Sequence, residues 1–262
     1  MRYMKSSVVA VAMALIAAPI VFAQGGRAMA PPPAAQAPQE VSKAVKDGGI
    51  KVAGWQGKMD DSRENVGLTV DAARLVAEGK DLHVTTGPSM TYWNPANKAM
   101  GDYTVKATFT ESDYMGLNTH PHPYGIVIAG NDLGTAKQSY LYCGAYGDGR
   151  WIVRGFGEPQ PTDPPAAQYS AAATGSFAMN GGRGTADPAV NKAAAVHSSV
   201  TQDIAVSVKG DKVSCSINGK EVASYTKAEL VTKGKLTSTN GVYGIRFGHN
   251  TDAVVKGLTL VK

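Results

Sequence analysis

The chain has 262 residues, 26 Lys and Arg against 21 Asp and Glu, a formal charge of +5, and two cysteines. Its basic residues are scattered (Lys51, Lys80, Lys106, Lys192, Lys209, Lys235), so the focused positive patch that nucleic-acid binding requires is missing. The two cysteines form no CxxC motif and share no zinc-like spacing with histidine, which excludes a thiol redox motif and a zinc finger.

In chain order, residues 1–23 carry Arg2 and Lys5, an apolar run over 8–22, and a small-x-small cleavage site ending at Ala23. This is the pattern of a secretory signal, too short and wrongly flanked for a membrane anchor, so the mature chain is expected to start at Gln24. No cysteine follows the run, which argues against a lipoprotein. The expected destination is periplasmic or extracellular, with no membrane span left after processing. Residues 24–45 begin with a Pro/Ala-rich segment that offers little to bury, and they read as a disordered tether. One large domain is then expected over 46–262.

Within that domain, strands are expected at 50–55, 73–78 and 82–86, and a short one at 90–93 ended by Asn94-Pro95. Residues 103–110 alternate cleanly: Tyr103, Val105, Ala107 and Phe109 point one way, and Thr104, Lys106, Thr108 and Thr110 the other. That is a strand with one buried and one wet face. Residues 124–130 are apolar on both faces, as in a central strand covered on both sides. The next strand, 140–146, puts Leu141, Cys143 and Ala145 on one face and Tyr140, Tyr142 and Tyr146 on the other. Asp148-Gly149 then turns the chain into a strand at 151–156.

Residues 157–199 form a long loop rich in Pro, Ala and Gly, with a mobile part at 161–173 and a weak strand at 176–179; loops of this length are usually covers or disordered. Strands resume at 203–209, 213–217 and 220–225, the last two joined by Asn218-Gly219. Thr226-Lys227-Ala228-Glu229 fits a capping box and predicts one short helix over 227–232. Strands at 241–247 and 253–261 close the chain. About a dozen short strands with almost no helix predict an all-β sandwich or barrel.

Cys143 and Cys215 both fall in the core phase of their strands. Two buried thiols and one disulfide are both compatible with that placement. The three tyrosines opposite the core face need a cover, which is either the long loop or a ligand.

Several constellations bear on function. The carboxylates Glu111, Asp113, Asp132, Asp148, Glu158 and Asp163 sit at turns and strand ends, and no two share a strand face as a glycosidase pair would. The economical reading is that they are solvated turn residues; His122, Asp132 and Glu158 are the only candidates for a catalytic role. His120-Pro121-His122-Pro123 holds two imidazoles on a stiff segment, where His120 and His122 could ligate a divalent metal if Asp132, His83 or His249 supplied a third ligand. Without one, the segment is simply a stiff loop, and the sequence calls for no other cofactor. Aromatic rings suit sugar faces and polar groups suit sugar hydroxyls. Trp93, Tyr124, Tyr140, Tyr142 and Tyr146 with Asn131, Asp132, Arg154 and Arg246 are therefore the candidate ligand-binding set, lining a mostly apolar pocket.

Three stretches carry a family resemblance: Gly54-Trp55, Met100-Gly101-Asp102-Tyr103-Thr104-Val105, and the run from Gly241 through Tyr243-Gly244-Ile245 to Gly248-His249-Asn250. In this order they resemble the concanavalin A-like lectin/glucanase superfamily, nearest to exported 3-keto-disaccharide hydrolase domains. The resemblance covers the chain from Val52 onward apart from the long loop. It implies a jelly-roll sandwich of two antiparallel sheets, a saccharide ligand on the concave sheet and, in the enzymatic relatives, a sugar-cleaving activity. The chain departs from that pattern in the middle, where 140–146 has no carboxylate, and the Glu-x-Asp-x-x-Glu strand of β-glucanases is absent. The resemblance thus implies the fold more firmly than the chemistry. The primary expectation is an exported carbohydrate-binding sandwich. The alternatives are a glycoside-cleaving enzyme, assisted by metal at His120 and His122, and an assembly module whose tyrosine face packs on another chain.

Overall fold

The computed structural model describes residues 40–262 apart from Asp163. The expected signal, most of the expected tether and the candidate carboxylate Asp163 lie outside the described residues. Residues 40–45, expected to be tether, are held to the domain. The Glu40 carboxylate accepts from Thr119, Ser42 Oγ donates to Asn65 Oδ1 at 2.6 Å, and the Lys43 N–H donates to Asn250 Oδ1 at 2.8 Å.

The strands form two stacked sheets. The first runs, edge to edge, β1 (Gly49–Ile50), β3 (Arg74–Glu78), β4 (Asp81–Thr85), β16 (Asp252–Val261), β6 (Tyr103–Glu111), β12 (Val200–Lys209), β13 (Lys212–Ile217) and β14 (Lys220–Thr226). The second runs β10 (Ser176–Ala178), β9 (Arg150–Phe156), β8 (Ser139–Ala145), β7 (Tyr124–Asn131), β15 (Gly241–Phe247), β5 (Met90–Ala99) and β2 (Gln56–Met59), with β11 (Thr185–Ala186) also on β9. Neighbouring strands are antiparallel except the short β1–β3 pair. This is an antiparallel two-sheet β-sandwich, as the strand pattern predicts. No helix among the described residues is long and apolar enough to cross a membrane.

The alternation read from the sequence places the core. In β6, Tyr103, Val105, Ala107 and Phe109 are buried while the residues between them are not, and β12 does the same with Ile204, Val206 and Val208. β7 is buried on both faces because it is flanked by β8 and β15 and covered above and below. Between the sheets, Phe109, Tyr124 and Phe247 pack with ring centroids 5.7 to 6.0 Å apart. Removing one such ring costs about 3–5 kcal/mol. Tyr124 therefore belongs to the interior, not to a ligand face.

Cys143 in β8 and Cys215 in β13 are disulfide-bonded, with Cα atoms 6.0 Å apart. The bond pins one sheet to the other across a separation of 72 residues. On loop-entropy grounds that closure is worth about 4 kcal/mol.

Three local expectations change. The strand expected at 50–55 is split: β1 ends at Ile50, a turn bonds the Trp55 N–H to the Val52 carbonyl, and β2 starts at Gln56 in the other sheet. Gly54, at φ +76, supplies the positive φ this crossing needs. The strand expected to stop at Asn94-Pro95 continues as β5 to Ala99. Pro95 is tolerated because the β15 partners jump from Trp93 to Lys98 and β2 reaches only Trp93, so no ladder bond wants its missing N–H. In the long loop, the stretch expected to be mobile contains a short helix, α1 (Ala171–Thr174), capped by Ser170 Oγ and ended by Gly175 at φ +70. The predicted capping box is present at α2 (Lys227–Leu230), where Thr226 and Glu229 bond reciprocally.

Candidate functional site

The outer face of the second sheet carries its own apolar cluster, separate from the core between the sheets: Val127, Tyr140, Tyr142, Tyr146, Ile152 and Phe156. The period-two alternation of β8 forces this, since Leu141 and Cys143 point inward. The loop 157–199 folds back along this face without closing it. A cleft of about 590 Å³ remains, lined by Tyr142, Tyr146, Arg154 and Phe156 of the sheet and by Asp60, Asp61, Ser62, Tyr169, Thr174 and Ser176 around it.

The tyrosines divide here. The Tyr140 hydroxyl is taken inside the protein, by Thr91 Oγ1 at 2.9 Å and the Arg246 guanidinium at 3.1 Å. Tyr142 and Tyr146 line the cleft, yet only 3% and 6% of their surface is exposed. Their ring faces are partly occupied: the Arg246 guanidinium lies 4.9 Å from the Tyr142 centroid, and that of Arg150 lies 4.4 Å from the Tyr146 centroid. The expected mostly apolar pocket with open stacking platforms is instead a polar cleft. Guanidinium, imidazole and carboxylate groups from Arg150, Arg154, His122, Asp61 and Glu64 surround it.

Arg246 is buried and committed. It forms a two-pronged ion pair with Asp60, one prong 2.8 Å long, and also donates to Thr91. Burial opposes its charge, but the Asp60 carboxylate outweighs burial and holds the guanidinium protonated. Arg150 is likewise spent, on Asp148 and the Arg183 carbonyl. Arg154 is different. It lines the cleft, its side chain makes no hydrogen bond or ion pair with the described residues, and its Nε is buried without a partner among them.

At one end of the cleft, four side chains meet: Glu40, His120, His122 and His249, with donor atoms all within 4.8 Å of one another. The His122 and His249 ring centroids are 3.8 Å apart, and those of His120 and His122 are 4.3 Å apart. The local sequence explains the convergence. Pro121 and Pro123 fix φ on either side of His122, so the segment crosses as a stiff extended strap. Gly248 lets the exit of β15 pass beneath it, since a Cβ there would lie 2.7 Å from His122 Cβ. Asn250, in the left-handed region at φ +49, turns the chain and donates to Glu40 Oε1 at 3.2 Å and to the Val41 carbonyl at 3.0 Å.

Burial, with the neighbouring imidazoles, pushes the His122 pKa down to about 3; burial lowers that of His249 as well. Burial works against the Glu40 carboxylate, but hydrogen bonds from Thr119 and Asn250 prevail and hold its pKa below the usual value. At neutral pH the cluster thus presents two neutral imidazoles with free lone pairs beside one carboxylate.

Other candidates lie elsewhere. Trp93 is buried on β5, away from the cleft, and its ring packs near Gly134. The Asn131 side chain is tied to the Ala129 and Asn240 carbonyls. Asp132 and Glu158 are exposed loop residues outside the lining, and His83 pairs with Asp252 and Glu78 on the other sheet. The structure thus brings together His120, His122, Tyr142, Tyr146, Arg154 and Arg246 from the expected set. It adds Glu40 and Asp60, which no local pattern announces: Glu40 meets Thr119 and Asn250, and Asp60 meets Arg246, all distant in sequence.

An all-β, two-sheet sandwich with a polar cleft on one outer sheet face is the class these features define. No protein-family model matches the chain, and no curated protein matches it. Among solved structures it is similar to carbohydrate binding module CBM66 from Bacillus subtilis, with 9% identity over 81% of this chain and 98% of that one and a TM-score of 0.48. A protein of unknown function with a galectin-like fold from Bacillus subtilis shares 11% identity over 79% and 88%, with a TM-score of 0.44. The endo-beta-1,3-glucanase from Pyrococcus furiosus shares 10% over 79% and 87%, with a TM-score of 0.43. At these identities nothing about ligand or residue roles passes from them to this chain.

Proposed function

We propose that this is an exported saccharide-binding protein that holds its ligand in the Tyr142–Arg154 cleft. The observation that carries the reading is Arg154, whose guanidinium lines the cleft and has no hydrogen-bond partner among the described residues, next to two phenol hydroxyls that bond no described residue. A polyhydroxylated ligand supplies both donors and acceptors to such groups. Binding through hydroxyl and guanidinium contacts replaces the ring stacking expected from sequence, because the ring faces are capped by arginine.

Affinity electrophoresis against a panel of soluble polysaccharides tests the reading. Retention should be weakened by Arg154→Ala and by Tyr142→Phe, which removes only a hydroxyl. No retention by any polysaccharide contradicts it. Export is tested separately: amino-terminal sequencing of the secreted protein should begin at Gln24. A sugar-cleaving enzyme is the second reading, favoured by the carboxylate and imidazoles at the end of the same cleft. Release of reducing ends from a retained polysaccharide would select it over simple binding.

A further inference from the structure

We propose that Glu40, His120, His122 and His249 bind one divalent transition-metal ion of the Zn2+/Co2+ kind at the end of the cleft. Three imidazoles and one carboxylate form a borderline nitrogen-rich donor set, which suits such ions and disfavours Ca2+ and Mg2+, whose sites are built from oxygen. A tetrahedral zinc site with bonds of about 2.0–2.1 Å holds its donors roughly 3.4 Å apart. Here the donors all lie within 4.8 Å, and His120 Nδ1 is already 3.0 Å from Glu40 Oε2. Closure therefore needs only small side-chain rotations.

A second, independent observation points the same way. His122 Nε2 and His249 Nδ1 are both buried without a hydrogen-bond partner. A buried polar atom left unpaired costs about 1–3 kcal/mol, and two in adjacent rings is an unusual concentration. Metal coordination at the cluster is one way to engage such rings. The other histidines behave differently: His83 is paired with Asp252 and Glu78, and His197 with Asp113, each by an ordinary ion pair.

The surroundings are also those of a held site. Glu40 is oriented by the Thr119 backbone and hydroxyl and by Asn250, so the carboxylate is fixed from behind. Metal would thereby tie the start of the described chain to the end of β15, closing a loop of about two hundred residues. The proposal does not depend on the saccharide reading, since none of its four ligands belongs to the Tyr142–Arg154 floor.

The test uses tag-free protein, stripped with a chelator and titrated with Zn2+ and Co2+ by calorimetry and visible absorption. One equivalent should bind, with Co2+ giving the intense visible bands of four- or five-coordinate geometry. His122→Gln should weaken Zn2+ by at least about 100-fold and His120→Gln by at least about 10-fold. The controls His83→Gln and His197→Gln should leave affinity unchanged. If His122→Gln does not fold, His120→Gln carries the test, because its side chain is 56% exposed. Absence of stoichiometric binding, unchanged affinity in His120→Gln, or equal affinity for Ca2+ would overturn the proposal. Polysaccharide retention is measured on the same stripped and loaded samples, so either reading can fail without the other.

Discussion

His83, on a strand of the first sheet, and the three histidines beside β7 and β15 at the end of the cleft live by opposite rules. On the first sheet, His83 lies between Glu78 at 2.6 Å and Asp252 at 3.0 Å, and the hydrogen bond to Asp252 raises its pKa to about 9. At the end of the outer cleft, His122 faces other imidazoles under burial and is pushed down to about 3. At neutral pH the same side chain is a cation in one place and a neutral ring in the other. The difference comes from neighbours and solvent, not from the residue. A carboxylate-rich setting builds ion pairs that stabilise the fold, whereas the imidazole cluster leaves the buried His122 Nε2 and His249 Nδ1 without hydrogen-bond partners.

Glu111 gives the largest expected effect. It is buried near Asp252, and burial first, then the Asp252 and Asp113 charges, raises its pKa to about 7. Its folded pKa lies above its unfolded value, so its favourable contribution is complete below about 4.5 and lost as pH rises through about 7. The difference corresponds to about 3 kcal/mol. Glu111→Gln should flatten this part of the stability–pH curve and raise stability above pH 7 by up to that amount, as read by urea denaturation. An unchanged slope would show that the carboxylate is solvated.

His83 comes next; its contribution is also lost as pH rises, but here the substitution should destabilise rather than stabilise. Its raised pKa stabilises the fold fully below 6.5, and that contribution disappears as pH rises through about 9. His83→Gln should lower stability at pH 6 by about 1–2 kcal/mol, reduced from the full shift because the pair is partly solvated. Near pH 10 the mutant and parent should coincide. A mutant equally destabilised at both pH values would mean that packing, not charge, is what the ring supplies.

The smallest stability change is expected in the cleft. Tyr142→Phe and Arg154→Ala remove groups that bond no described residue, so unfolding should shift by less than about 0.5 kcal/mol while ligand retention falls. A loss of several kcal/mol in either would assign that residue to the framework, alongside Arg246 and Asp60.

The sequence discloses these regions unevenly. Alternation in β6 and β12 gives the inward face residue by residue, and β8 announces its two faces because period two leaves no other choice. Pro95 misleads because whether a proline ends a strand depends on which neighbours need its N–H, and those neighbours, β2 and β15, are distant in sequence. His120 and His122 are visible as a local motif. His249 is one option among several, and Glu40 is hidden inside a stretch whose composition reads as tether. The ring faces of Tyr142 and Tyr146 look available in sequence. They are partly taken: Arg246 reaches Tyr142 from a strand about a hundred residues away, which leaves no periodic trace, and Arg150 reaches Tyr146 across the adjacent hairpin.

The most direct test of the contrast between the two histidine groups is a proton NMR titration of the imidazole carbons in metal-free protein from pH 4 to 10. His83 should titrate near 9, and His122 should show no inflection anywhere in that range. A His122 resonance that titrates near 6.5, together with a His83 that does the same, would contradict it.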